Sequence, residues 1–312
     1  MEGNFTTHHK APETAQMQGF KGIRWPKMVG PEGQNSPSGV GSYLIWQQPH
    51  FIYMAEQLYR NNPSPEILNK YKDLVFATAD FMADFAVPDS TGKVYNLLPP
   101  LIPAQEHWMC VTTTNPSFEL AYCHHGLTIA QEWRRRLNMQ PDTLWEKVSA
   151  NMAAPVQENG LYPGIANASD SYTNPDNMTD HPMVTGTLGI LPEWEKIDTE
   201  TMRNTLKVVM QKWDWPSTWG WDYPMVAMCA TRLYEPEIAL EALLKDVQKN
   251  TYLRNGHNYQ SERLRIYLPG NGGLLKTISF MCAGWEGCTA PNPGFPNNGQ
   301  WNVKWEGLTK AF

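Results

Sequence analysis

No stretch of the chain approaches the roughly 18 consecutive apolar residues of a membrane-spanning helix, so no membrane span is expected. The opening residues, MEGNFTTHHKAPETAQ, likewise lack the apolar core of a signal peptide. A basic excess is missing too. The formal net charge is −6, which offers no positive field to hold a polyphosphate backbone and argues against nucleic acid as a partner. A neutral or weakly charged ligand fits better. Cysteine is sparse: five in 312 residues, with no CxxC pair and no ligand-like spacing to histidine, which argues against a zinc cluster. No metal and no cofactor is expected. The cysteines read as buried thiols, although Cys282 and Cys288 could bridge in an exported protein.

Charged residues are also few, at 18%, whereas Trp and Tyr number 13 each. Flat aromatic faces stack on the C–H faces of sugars, but core packing explains most of them equally well. With 41% hydrophobic residues, the chain can bury a large core as one big domain or two modest ones.

Hydrophobic periodicity predicts about nine helices and no convincing alternating strands, hence a mainly α fold. The clearest helix starts after Ser64, an N-cap followed by Pro65; Ile67, Tyr71, Leu74, Thr78, Phe81 and Phe85 form one face, flanked by Leu68, Val75 and Met82. A preceding helix over 42–60, joined through Asn61-Asn62-Pro63, implies an antiparallel hairpin. The plan recurs at 115–137 with 141–153 and at 223–234 with 236–249, beside helices over 198–213 and 272–285. Helix pairs joined alternately by short and long connections suggest a toroid of α-hairpins. The long connections, 88–114, 155–181 and 253–271, are rich in Asn, Asp, Gly, Pro and Tyr, and loops of that length tend to carry function. Residues 1–41 read as an irregular lead-in, 42–288 as the helical domain, and 289–312, where QWNVKWEGL alternates, as the start of a small β region.

Breaking a glycosidic bond takes a carboxylic acid to protonate the leaving oxygen and a second group on the other face of the ring. Glu106 sits mid-loop between apolar prolyl segments and Trp108, where a carboxyl is partly desolvated, as a general acid requires. The competing reading is a solvated loop glutamate. Asp222, in Trp219-Gly220-Trp221-Asp222-Tyr223-Pro224, could be a base or a sugar-hydroxyl ligand, or simply an N-cap. Asn115, before Pro116, has the same choice between capping and binding. Glu119 lies one helical turn further on and could point back toward the site, or be a solvated glutamate near a helix start. In Gln47-Gln48-Pro49-His50, Gln48 and His50 are candidate ligands, with a structural histidine as the alternative. Trp25, Trp46, Trp219 and Trp221 are candidate stacking platforms that could equally be core.

LLPPLIPAQEHW followed by NPSFELAY, together with GIRWPKMVGPEG, LIWQQPHFIYMAEQLYR, STWGWDYPMVAM and YLPGNGGLL, resembles the catalytic barrel of the six-hairpin glycosidases. The similarity runs from about Ala15 to the end and is nearest to glycoside hydrolase families 95 and 65. It implies an all-α (α/α)6 toroid and an inverting glycosidase acting on an oligosaccharide or glycan, in polysaccharide degradation, exported to the periplasm or beyond the cell. Pro100 to His107 is similar to the Pro-Ser-x-Ser-Pro-Glu-Asn loop that carries the general acid in family 95. Glu106 and Asn115 also resemble the Gly-Pro-Asp-Glu-Tyr loop and the following Asn-rich helix start of family 65. Two departures stand out. Where family 95 has Ile-Asp-Gly-Asn-Phe-Gly, with an aspartate linked to water activation, this chain reads Leu268-Pro269-Gly270-Asn271-Gly272-Gly273, leaving Asn271 as a candidate ligand. A complete toroid has twelve helices after a β-sandwich, so the chain is expected to be truncated at its N-terminus. The glycines at 270–273 could instead form the anion site that family 65 uses for phosphate, but the expected Ser and His side chains are missing. A family 65-like disaccharide phosphorylase and a non-catalytic sugar-binding relative are therefore the alternatives to hydrolysis. The sequence assigns no oligomeric state.

Overall fold

A computed structural model of the chain describes residues 5–30, 33–34 and 36–311. It divides into two compact units, Met1–Ala154 and Pro155–Phe312. Both are mostly helical, and among the described residues no helix is long and apolar enough to cross a membrane.

The first unit holds α1 (Phe5–Met17), α2 (His50–Asn61), α3 (Pro65–Phe85), a short antiparallel ladder of β1 (Val87–Pro88) and β2 (Tyr95–Asn96), α4 (Ser117–Arg136) and α5 (Thr143–Ala150). Ser64 caps α3 as expected: its hydroxyl accepts the Ile67 N–H at 3.3 Å, and Pro65 opens the helix. Only Asn62, Pro63 and Ser64 separate α2 from α3, and the two pack as a hairpin. The buried face of α3 is rotated from the one expected. Leu68, Val75, Ala79 and Met82 join Thr78, Phe81 and Phe85 in the core, while Ile67, Tyr71 and Leu74 are half-buried. The expected start of α2 at Ser42 is corrected to His50, because residues 42–49 form turns and a bridge.

α1 lies in the segment expected to be irregular. Among its described side chains the buried ones are Ala11 and Ala15, small residues that give no strong apolar period. Beyond it the chain is laid directly on α3: the Ile23 N–H reaches the Ala77 carbonyl at 2.9 Å. Gly22, at φ +70°, makes that approach possible, since a Cβ there would stand 2.1 Å from the same carbonyl. Glu56 straps α2 to α4. Buried to 1% exposure, it accepts from Arg136 Nη1 at 2.6 Å, Trp133 Nε1 at 2.7 Å and Arg60 Nε at 2.8 Å.

The second unit contains α6 (Gly186–Gly189), α7 (Thr199–Lys212), α8 (Asp222–Arg232), α9 (Pro236–Leu243), the ladder of β3 (Thr251–Tyr252) with β4 (Asn258–Tyr259), and α10 (Leu268–Ala283). Every residue of α8 is buried, and α6, α7, α9 and α10 all pack on it. A helix apolar on nearly all sides is the natural centre of such a unit. α10 starts at Leu268, so the expected glycine loop is its first turn, and α9 ends at Leu243 instead of 249. The alternating tail QWNVKWEGL forms no strand. Among the described residues, the nearest ladder contact is a single bridge of Trp285 with Ala311. All five cysteines are free thiols, so Cys282 and Cys288 are not bridged.

Candidate functional site

In the first unit, the loop carrying Glu106 is tied down along its length. The Ile102 N–H reaches the Tyr43 carbonyl at 2.8 Å, the Leu101 N–H reaches the Cys110 carbonyl at 3.0 Å, and the Ile45 N–H returns to the Ile102 carbonyl at 3.3 Å. Leu101 to Gln105 are buried, and the chain then turns at Glu106 to bring it half into solvent. The Glu106 carboxylate is paired with the Lys27 ammonium, their side chains 26% and 27% exposed. Trp108 closes the turn by donating its indole N–H to Gln105 Oε1 at 3.0 Å.

Glu119 lies inside, beneath this loop, where it accepts the Ala104 N–H at 2.6 Å. At 4% exposure it is no solvated glutamate. Burial pushes its carboxyl up to about 7, against the pull of the Ala104 N–H and its own N–H. It lines a cavity of about 20 Å³ with Trp46, Gln48, Leu97, Tyr122 and Cys123. That is room for about one water and not for a sugar ring. Asn115 does not cap α4, whose N-cap Pro116 makes no side-chain bond. Held at φ +42°, Asn115 instead accepts the Leu97 N–H at 2.7 Å and donates to Asn96 at 2.8 Å, fixing the start of the loop.

Gln48 is buried, and both ends of its amide are engaged by the backbone of Trp25, through N–H to Oε1 at 2.7 Å and Nε2 to carbonyl at 2.8 Å. It clamps the lead-in onto the turn that precedes α2. Trp25 itself stacks on Phe51, with centroids 5.4 Å apart, and donates its indole N–H to Thr78 at 2.9 Å. His50 meets Tyr122 through Nδ1 and the phenol oxygen at 3.0 Å, with Trp46 edge-on to its ring. Burial drives the Tyr122 phenol well above its ordinary range.

The second unit assembles a different group. Asp222 is neither an N-cap nor solvent-facing: Trp221 holds the cap position, and Asp222 is 0% exposed. Its two oxygens lie 2.8 and 3.1 Å from His181 Nδ1, and Oδ2 also accepts the Trp219 N–H at 2.8 Å. Burial raises its carboxyl, opposed by His181 and the Trp219 N–H. His181 is the residue sequence reasoning missed. Its only signal was Asp180-His181-Pro182 ending an Asn- and Asp-rich connection. The ring centroids of Trp221 and Trp219 lie 4.6 and 6.1 Å from that of His181. Asn271 is structural: its Oδ1 accepts the Asn258 N–H at 3.0 Å and its Nδ2 donates to Gly256 at 2.7 Å. Asn258 in turn sits where Cβ atoms on Gly220 and Gly270 would be, which accounts for both glycines. Among the described residues, no group of three or more His, Cys, Asp or Glu side chains is placed to hold a metal ion.

The sequence candidates therefore fall into two sets. Glu106, Glu119, Asn115, Trp25, Trp46, Gln48 and His50 belong to the first unit, and Asp222, Trp219, Trp221 and Asn271 to the second. No family model matches the sequence, and no curated protein matches it. A solved structure named "Putative kojibiose phosphorylase from human microbiome" matches the fold with a TM-score of 0.63 at 9% sequence identity. The match covers 90% of this chain and 46% of that one, so the chain spans less than half the length of its structural neighbour. The likeness is one of fold, a mostly helical architecture shared with that structure.

Proposed function

We propose that the chain is a carbohydrate-active enzyme built on the six-hairpin toroid, and that Glu106 protonates the departing oxygen of a glycosidic bond. One observation carries this reading. Glu106 is the partly exposed carboxyl that directly follows a buried stretch, Leu101 to Gln105, hydrogen-bonded at several points. A general acid has to be both fixed and reachable, and the loop meets both conditions. The proton for the departing oxygen passes from the Lys27 ammonium to the Glu106 carboxylate paired with it, and from Glu106 to the leaving group. Water is the acceptor in the first reading, with inversion at the anomeric carbon. Asp222, out of contact with solvent and committed to His181, is then a poor group to activate that water directly. Phosphorolysis is the second reading, favoured by the neighbour's name as a disaccharide phosphorylase.

The test is release of reducing sugar from a panel of oligosaccharides that includes kojibiose, with and without inorganic phosphate. Glu106→Gln should lower kcat by roughly 10²- to 10⁴-fold at unchanged Tm. Sugar phosphate formed only when phosphate is added would select phosphorolysis. Turnover undiminished in Glu106→Gln would remove the acid assignment, and sugar binding with no turnover in the wild type would mark a non-catalytic relative.

A further inference from the structure

Among the described residues, Trp301 and Trp305 are the two exposed tryptophans of the 13, at 43% and 47%. Trp25, Trp46, Trp219 and Trp221, which the sequence nominates as stacking platforms, are half-buried. Neither exposed ring is loose. Trp305 donates its indole N–H to Asn292 Oδ1 at 2.9 Å, and Trp301 packs on Phe295 with ring centroids 5.4 Å apart. Asn292 and Phe295 are the two ends of one turn, closed by the Phe295 N–H on the Asn292 carbonyl at 3.0 Å. Between them Pro293 and Gly294 are buried, and the Gly294 N–H holds the Met281 carbonyl in the last turn of α10 at 3.0 Å. Both indoles are thus fastened to a turn that is itself fastened to the second unit, and each turns roughly one face to water. Their surroundings are uncharged. Residues 289–303 contain no Asp, Glu, Lys or Arg, and five of them are amides. Of these, Asn297, Gln300 and Asn302 are exposed, and their side chains make no hydrogen bond among the described residues.

We propose that Trp301 and Trp305 form a binding site for a neutral glycan chain. Flat rings bordered by amides match such a ligand, because its C–H faces stack on indole and its hydroxyls both donate and accept, as an amide does. A patch without charge has no hold on a polyphosphate backbone or on an acidic or basic peptide. Two platforms on one turn favour a chain of sugars over a single one, since the second ring binds at the high effective concentration set by the first. The inference takes only its ligand class, sugar, from the proposed function and needs neither Glu106 nor turnover.

Affinity electrophoresis of the full chain through gels containing starch, mixed-linkage β-glucan, xylan or galactomannan tests it. Retardation by at least one of these is expected, insensitive to added salt. Trp301→Ala and Trp305→Ala should each weaken that glycan at least about tenfold at wild-type Tm, because both side chains lie at the surface. Trp301→Tyr, which keeps a flat ring, should recover most of the affinity. No retardation by any of the four glycans, or affinity unchanged in both alanine variants, would overturn the proposal. So would a dimer in sedimentation velocity that the double alanine variant splits, since that gives the patch to a second copy of the chain. Glu106→Gln keeps the two readings apart: it should abolish turnover and leave the retardation intact. Turnover surviving in Glu106→Gln removes the acid and leaves this site standing, whereas lost retardation in the wild type removes this site alone.

Discussion

Burial holds the Glu119 carboxyl at about 7, whereas in the unfolded chain it ionises near 4.5. Between those values the native state keeps a proton that the unfolded state has released, so stability falls as pH rises across that window. Below the window the effect is absent. Above it the full cost, on the order of 3 kcal/mol, remains. Glu119→Gln keeps an oxygen for the Ala104 N–H and cannot ionise. Chemical denaturation of both proteins at pH 4 and pH 8 should therefore show the variant gaining on the order of 3 kcal/mol over the wild type between the two. Identical pH dependence would mean that Glu119 ionises as an ordinary carboxylate in the fold. The same residue explains why the loop above it is rigid. A buried acceptor at Glu119 and a half-buried one at Asn115 grip its backbone N–H groups, and the chain comes to the surface from Glu106 onward.

At the scale of elements, the second unit depends on how closely α6 approaches α8. A Cβ on Gly189 would stand 2.8 Å from both the Cys229 nitrogen and the Met225 carbonyl, which are backbone atoms and cannot swing aside. Gly189→Ala should therefore cost about 1–3 kcal/mol through overpacking, despite alanine's better helix propensity. A urea midpoint at or above the wild-type value would show that the two helices can move apart without loss. Helix ends were legible in the sequence where a side chain marks them. Ser64 and Asp198 each accept from the first turn of their helix; α3 starts where its cap was expected, and α7 starts one residue inside the expected span of 198–213. They were illegible where packing decides. α10 takes the glycines at 270, 272 and 273 into its first turns, with Gly270 against the Asn258 side chain, and among its described side chains α1 shows the core only two alanines. The QWNVKWEGL alternation misled for the converse reason: period two yields a strand only where another strand's edge is present to pair with it.

Across the whole molecule, the candidate groups meet through contacts that no local spacing encodes. His181 and Asp222 are 41 residues apart in sequence, and Lys27 and Glu106 are 79 apart. Sequence motifs therefore nominated Glu106 and Asp222, yet gave neither of their partners. The strap at Glu56 has the same long-range character, joining α2 to donors 77 and 80 residues away on α4. Burial opposes ionisation there, but bonds from Arg136, Trp133 and Arg60 prevail and hold the Glu56 carboxyl below its usual range. Its contribution is consequently present above the unfolded value near 4.5 and is lost as pH falls through the lower folded value. Glu56→Ala leaves the Arg136 and Trp133 donors without their acceptor and should cost about 3–5 kcal/mol at neutral pH. Each unit closes its own core, one around the α2, α3 and α4 contacts and the other around α8. Native-state hydrogen exchange on the full-length variant should then show α2 and α4 amides exchanging faster by roughly two to three orders of magnitude, with the α8 amides still protected. Equal acceleration in α8 would mean that the two units unfold as one.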